Sequence, residues 1–398
     1  MSTKELAKRL NRFQASATGA ISNRVKAMKR EGVTILPLNA GEPDFDTPDT
    51  AKLAGIEAIR NGSTKYTATN GYIELREAIS AKLEKDNGLQ YTVDEICVCT
   101  GAKQAIFGAV MAICDEGDEV LIPVPSWVSY TSMVAIAGAT PVLVPSNADN
   151  SLDLAKIEAA ITPQTRAIIV CSPNNPSGAV YSEESLRALA DLAVKHDFFI
   201  ISDEIYEKLI YDGYKHFSVA SVSPEVWERT ITVNGFSKGY AMTGWRVGYA
   251  AARKDIIKAM IKVQGQVTSC ATSIAQKAAL GALVGSQEAT ENMVATFRER
   301  RDFVCGRLRE IPNVSFAEPH GAFYVLVDIT AYLGKSYEGK VIGTSLELAE
   351  YLLNTARVAV VPGSAFGAEG TIRIAYAKSI DTLSAGLDAL DTALRALE

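Results

Sequence analysis

Between residues 96 and 233 the chain repeats one pattern: a short run of apolar, often β-branched residues, then a stretch of other character. The runs are Ile96-Cys97-Val98-Cys99, Val120-Leu121-Ile122-Pro123, 141–144, 166–171, 198–202 and 230–233, with helical patterning such as 182–195 between several of them. Strands alternating with helices imply an α/β fold whose mostly parallel sheet is covered on both faces. In such sheets ligand sites collect at the carboxyl ends of the strands. The loops after these runs are therefore where chemistry is to be sought. At 398 residues the chain exceeds one simple core, and two domains are expected.

The rest of the chain differs in kind. Residues 4–30 are helical in pattern, with Ile21, Val25 and Met28 on one face and a break at Gln14–Gly19. A helix is expected over about 72–86, and helical patterns run from about 253 to 309 with short breaks. Short strands at 314–316, 322–328, 358–361 and 371–376 then alternate with helices near 345–355 and 380–396, a compact α+β unit.

Several function classes are excluded. A net charge of −6, with no basic tract, argues against a nucleic-acid surface. The six cysteines contain no Cys-x-x-Cys pair and five sit in apolar or helical runs, as reduced thiols of a cytoplasmic protein would. The three histidines, at 196, 216 and 320, lack metal-ligand spacing, so no metal is expected. The amino terminus has no apolar signal core, and no run is long enough to span a membrane.

The run 230–233 leads into Gly235-Phe236-Ser237-Lys238-Gly239-Tyr240-Ala241-Met242-Thr243-Gly244-Trp245-Arg246-Val247-Gly248. Four glycines allow backbone to approach a ligand closely. A hydroxyl, an amine and, eight residues past the lysine, a guanidinium suit a phosphate whose other end is bonded to Lys238. An isolated Ser-Lys would be an ordinary surface pair, but the full spacing resembles the pyridoxal-phosphate attachment signature of the class I and II aminotransferases, the aspartate aminotransferase family. The resemblance makes Lys238 the lysine that carries the cofactor and moves the proton, with Ser237 and Arg246 on its phosphate.

Further motifs resemble that family in the same order along nearly the whole chain. Gly41, in Gly41-Glu42-Pro43-Asp44-Phe45, reads by spacing alone as a plain turn; the resemblance gives its N–H to the substrate α-carboxylate. Tyr66, otherwise a packing residue, would reach the other subunit's cofactor phosphate, which implies a homodimer with shared active sites. At Thr100-Gly101-Ala102-Lys103 a strand turns into a helix whose free N–H groups favour an anion. The resemblance puts the cofactor phosphate on Gly101, Ala102 and Lys103. It also offers Lys103 and Ser16 to the distal carboxylate of a dicarboxylic substrate, although a solvated or phosphate-facing lysine fits Lys103 equally well.

Trp127, in Pro125-Ser126-Trp127-Val128-Ser129-Tyr130, would stack on the pyridine ring and border the substrate; the family's bacterial branch more often has tyrosine where Ser126 stands. In Ser172-Pro173-Asn174-Asn175-Pro176-Ser177-Gly178, Asn175 would bond the ring hydroxyl and border the substrate, and Asn175–Pro176 is a candidate cis bond. Asp203 emerges from four large apolar residues, where a buried carboxylate needs a cation or donors. It reads either as a helix N-cap or, by resemblance, as the partner of the pyridinium nitrogen, with the Tyr206 phenol on the ring oxygen. Arg373 interrupts an apolar strand, Thr371-Ile372-Arg373-Ile374, and guanidinium suits a two-pronged grip on carboxylate; the resemblance makes that the substrate α-carboxylate.

The resemblance implies a fold-type I enzyme with pyridoxal 5′-phosphate as cofactor. A large cofactor domain would span 46–295, and a small domain would join 1–45 to 296–398. Expected chemistry is transfer of an amino group from an L-amino acid, foremost aspartate or glutamate, to a 2-oxo acid. Aromatic, alanine or prephenate transamination, and carbon–sulfur β-elimination on the same fold, remain alternatives. Gln14 stands where the branch often has a basic residue, which weakens the prephenate reading.

Overall fold

The computed structural model describes residues 7–13 and 17–398. Helix α1 (Ala17–Arg30) leads to β1 (Leu36–Pro37), then α2 (Asp49–Arg60) and α3 (Ile73–Asn87). The expected sheet follows: β2 (Ile96–Cys99), α4 (Ala102–Ile113), β3 (Glu119–Val124), β4 (Thr140–Pro145), β5 (Thr165–Cys171), β6 (Phe199–Asp203), β7 (Thr230–Gly235) and β8 (Gly248–Ala251). Its strand order is β2-β8-β7-β6-β5-β3-β4, parallel except for β8, which runs antiparallel to both its neighbours. Every residue of β2, β7 and β8 is buried, as continuous apolar runs covered on both faces require.

Strand β8 and its antiparallel place were not expected. Gly-Tyr-Ala-Ala has little strand propensity, and pairing on both sides overrides it: Cys99 and Gly235 both lie opposite Gly248.

Helices Lys254–Val267, Ser273–Val284 and Glu288–Glu310 carry the chain to a second, four-stranded antiparallel sheet. It uses β9 (Ser315–Phe316), β10 (Tyr324–Asp328), β14 (Val361–Pro362) and β15 (Thr371–Ala375), in the order β14-β15-β10-β9. A small hairpin of β11 (Ser336–Tyr337) and β12 (Lys340–Val341), and β13 (Val358–Ala359) alongside β1, complete the strands. The hairpin was also unexpected, each arm being only two residues. Helix α1 buries Val25 and Met28 against Ile35, Leu353 and Ala359, which ties the amino-terminal segment to the carboxyl-terminal unit.

The expectation of a cis bond at Asn175–Pro176 is corrected. The cis bonds are Val124–Pro125 and Ser172–Pro173. The turn carrying Asn175 is closed instead by Asn174, whose backbone carbonyl accepts from Gly178 N–H and whose side-chain oxygen accepts from Ser177.

Candidate active site

The carboxyl ends of β5, β6 and β7 and the loops after them open into a cleft of about 610 Å³. Asp203, the last residue of β6, is 3% exposed at its floor. Burial raises its pKa to about 6, opposed by a hydrogen bond from the Tyr130 hydroxyl at 2.6 Å and another from Ile205 N–H at 3.3 Å. A carboxylate held this deep by neutral donors is suited to a cationic partner in the cleft.

Lys238 follows β7. Burial, then Arg373, lowers its pKa to about 8, so neutral amine is available near neutral pH. Its Nζ donates to the Gly41 carbonyl at 2.5 Å and lies 5.9 Å from the Tyr206 ring centre and 5.6 Å from that of Phe323.

One end of the cleft is built for an anion. Helix α4 starts at Gly101 (φ +81°) with no side-chain cap, so its first N–H groups face outward. A Cβ at Gly101 would stand 2.6 Å from an Arg246 guanidinium nitrogen, and one at Gly248 would land on the Ala102 nitrogen. Three backbone and side-chain donors can therefore converge only because these two positions lack side chains. Ser237 lines the same cleft, and Arg246 is aimed by donating to the Thr243 carbonyl at 2.9 Å.

The other end is built for a carboxylate. Arg373, fully flanked by apolar neighbours on β15, donates to the Asn175 side-chain oxygen at 3.0 Å and to the Asn39 carbonyl at 2.9 Å. Its Nε finds no partner among the described residues. Tyr324 lies under the guanidinium, 4.3 Å from ring centre to Cζ, and its hydroxyl meets that of Tyr206 at 3.0 Å. A Cβ at Gly41 would sit 3.3 Å from the Tyr324 hydroxyl, a tight approach that would press on that side chain. Between the two ends Trp127 presents its ring, with the Lys103 ammonium 4.8 Å from the ring centre.

Thus Gly41, Ala102, Lys103, Trp127, Asn175, Asp203, Tyr206, Ser237, Lys238, Arg246 and Arg373 share one cleft, with Gly101 against its Arg246 wall. Tyr66 is not among them: its side chain stands 91% exposed. Ser16 and Gln14 lie outside the described residues. Sequence reasoning gave no role to Tyr130 or Tyr324. Tyr130 was visible three residues past Trp127, whereas nothing local to Tyr324 marks it.

An anion cradle, a flat apolar wall, a buried carboxylate and a lysine whose pKa is lowered to about 8 fit a phosphorylated pyridine aldehyde, and the clamp at Arg373 fits a carboxylate beside it. Known proteins agree. The family model for aminotransferase class I and II matches residues 33–390. A bifunctional aspartate aminotransferase and glutamate/aspartate-prephenate aminotransferase of Petunia hybrida is 48% identical over 396 residues, covering 98% of this chain and 82% of its own. The crystal structure of the Rhizobium meliloti aspartate aminotransferase superposes with a TM-score of 0.95 at 45% identity, over 100% of both chains. That of the Thermus thermophilus aspartate aminotransferase with maleate does so with 0.91 at 43%, over 98% of this chain and 100% of that one. With the match running through both sheets and every wall of the cleft, the chain belongs to the class I and II aminotransferases, and it is a pyridoxal-phosphate-dependent amino-transferring enzyme of fold type I.

Proposed function

We propose that the enzyme moves the amino group of L-aspartate or L-glutamate to a 2-oxo dicarboxylic acid and back, in two half-reactions at one site. The observation that carries the substrate class is Lys103. Its ammonium stands over Trp127 with no carboxylate of the chain beside it among the described residues, and its pKa is lowered first by burial and then by Arg246. The side chain is open to solvent, and a distal substrate carboxylate there would offset the repulsion from Arg246. The names of the relatives, and the maleate in one of them, support the same class.

Arg373 and the Gly41 N–H hold the α-carboxylate, which aims the Cα–H bond into the cleft. Ser237, Arg246 and the Gly101–Lys103 backbone would hold the cofactor phosphate, Trp127 would lie against the ring, and Asn175 and Tyr206 would bond the ring oxygen. Pyridoxal phosphate, when bound, supplies the electron sink for the pair left behind when the Cα proton departs. Asp203 keeps a proton on the ring nitrogen by remaining ionised beside it. The Lys238 amine, once free, would take the Cα proton and return it to the carbon on the far side of the amino nitrogen, first base and then acid. Tyr130 holds Asp203 in place from behind.

A homodimer is the assembly we favour. Helix α2 turns the small residues Ala51, Gly55 and Ala58 inward and leaves Leu53, Ile56 and Ile59 exposed, with Tyr66 close in sequence and bare. A large apolar stripe on the outer face supports a protein partner there. The division into a large unit of 46–295 and a small one of 1–45 with 296–398 is supported by the packing of α1 against the second unit. Six free cysteines support a reducing compartment such as the cytoplasm, and no described helix is long and apolar enough to cross a membrane.

The test is a half-reaction. Enzyme loaded with pyridoxal phosphate, without an oxo-acid acceptor, is given L-aspartate, L-glutamate, L-alanine, L-phenylalanine or L-cysteine in turn. Bleaching of the cofactor absorbance at low aspartate or glutamate, with release of the matching 2-oxo acid, is expected. A preference for alanine or phenylalanine would sink the substrate class, and ammonia and pyruvate from cysteine without bleaching would indicate elimination instead.

A further inference from the structure

The cleft is lined by seven basic side chains and two acidic ones, in a chain whose net charge is −6. Four of the basic groups, Lys103, Lys238, Arg246 and Arg373, already have work in the reading above. The other three are Lys26 and Lys29 of α1 and Lys378, five residues past Arg373. None has an ion-pair partner among the described residues, although lysines elsewhere in the chain find acids at 2.6–3.4 Å. Of the two acids, Asp203 is at the floor and Glu42 accepts from the Thr243 hydroxyl at 3.0 Å.

The helix explains the first two. Ser22, Lys26 and Lys29 recur at i, i+4 and i+7, one face of α1, and all three line the cleft. The stripe beside them is anchored, with Val25 6% and Met28 3% exposed against the second unit. The lysines therefore project from a seated helix, about 4.5 Å apart along its axis. Lys378 comes from the segment leaving β15, outward of the Arg373 clamp, and is half-buried. Solvated lysines are ordinary on any surface; three converging on the mouth of one cleft without a counter-charge are not.

We propose that Lys26, Lys29 and Lys378 form a cationic sill at the mouth that draws in, and selects, substrates carrying a second anionic group beyond the α-carboxylate. The proposal rests on the dicarboxylic reading above and adds to it residues that touch neither the cofactor nor the α-carboxylate. Exposed lysine–carboxylate pairs are individually weak, so the sill acts through the summed field of the cleft rather than as a tight subsite. Fields focused in a low-dielectric cleft raise capture rates by about 10- to 1,000-fold and decay with salt. With its ammonium counted, L-aspartate carries one net negative charge and 2-oxoglutarate two, whereas zwitterionic L-alanine carries none and is nearly blind to this field.

The experiment compares the holoenzyme with the Lys26→Met, Lys29→Met, Lys378→Met triple variant, which keeps the aliphatic stems and loses the charges. Values of kcat/KM are measured for L-aspartate, 2-oxoglutarate and L-alanine across ionic strength. For the wild type, the dicarboxylate values should fall steeply with salt. For the triple variant they should start about 10-fold lower and stay nearly flat, the loss lying in KM rather than kcat, while alanine loses far less. Arginine at the same three positions should restore the salt dependence. An unchanged aspartate-to-alanine ratio in the triple variant, or an equal loss for both substrates, overturns the sill. If the wild type itself does not favour aspartate over alanine, the substrate reading falls and the sill with it; if it does and the triple variant does equally, only the sill falls.

Discussion

Tyr130 shows how a single hydroxyl tunes the cofactor site. Its bond of 2.6 Å to Asp203 opposes the burial that raises that carboxyl to about 6. In Tyr130→Phe the ionised form loses a donor worth about 1.5–3 kcal/mol. The Asp203 pKa should move up, and the acid limb of kcat against pH should shift upward by about 1–2 units, with weaker cofactor retention. An acid limb that stays in place would remove Tyr130 from the mechanism. Lys238 gives the opposite limb: its pKa near 8 means the neutral amine grows as pH rises through that value, so capture of pyridoxal phosphate by cofactor-free protein should accelerate there and level off above. Stopped-flow absorbance across this range reads it directly. That Lys238, Asp203, Asn175, Arg246 and Arg373 line one cleft was legible in the sequence because each sits in a short motif resembling the same family. Tyr324 was not, because its meeting with Tyr206 spans 118 positions and neither segment advertises it.

At the scale of the element, the segment after β6 serves two environments at once. Asp203 and Tyr206 face the cleft, while Glu204 and Glu207 enter a buried network on the other side. Glu204 accepts from Ser218 at 2.7 Å and meets His216 at 2.8 Å, and Glu207 pairs with Lys82 and accepts from Asn87 at 2.9 Å. Burial pushes the Glu207 carboxyl up, but Lys82, then His216 and the hydrogen bonds, outweigh it and hold it at about 2. A depressed carboxyl contributes stability above its unfolded value of about 4.3 and loses it as pH falls toward the folded one. Lys82→Met should therefore cost about 3–5 kcal/mol by leaving a buried charge unpaired. Urea unfolding at neutral pH measures this, and acid unfolding should begin at higher pH in the variant. A variant as stable as the wild type would show the pair to be dispensable. The strands that flank this segment were readable from continuous apolar runs. Strand β8 and the hairpin strands β11 and β12 were not, because their pairing comes from neighbours rather than from propensity. The Asp203–Glu204 pair illustrates the limit: two adjacent acids look alike in sequence, and only the end of a strand sends them to opposite sides.

For the whole molecule, the outward face of α2 makes the assembly testable. Ile56→Glu places a charge in the apolar stripe while the packed side of Ala51, Gly55 and Ala58 is untouched. The variant should sediment as a monomer and lose activity by at least about 10-fold, since Tyr66 of one subunit would no longer reach the other's site. A dimer of full activity would redirect the interface elsewhere. The place of the main sheet was visible from pattern, but the outer character of α2 was not, because an exposed apolar stripe and a core stripe have the same periodicity.

Arg373 carries a consequence for handling the protein. It is a nearly fully buried cation whose Nε is unbonded and which has no acid of the chain beside it among the described residues. On the proposed reading its counter-ion is the substrate's own carboxylate, and ligand and fold would then be thermodynamically linked. Acetate, formate or succinate in a storage buffer would then act as conditional ingredients of the native state, raising the melting temperature by the same contact through which they compete with the amino acid. A screen for the most stabilising buffer and a screen for the most inhibitory one should return the same anions.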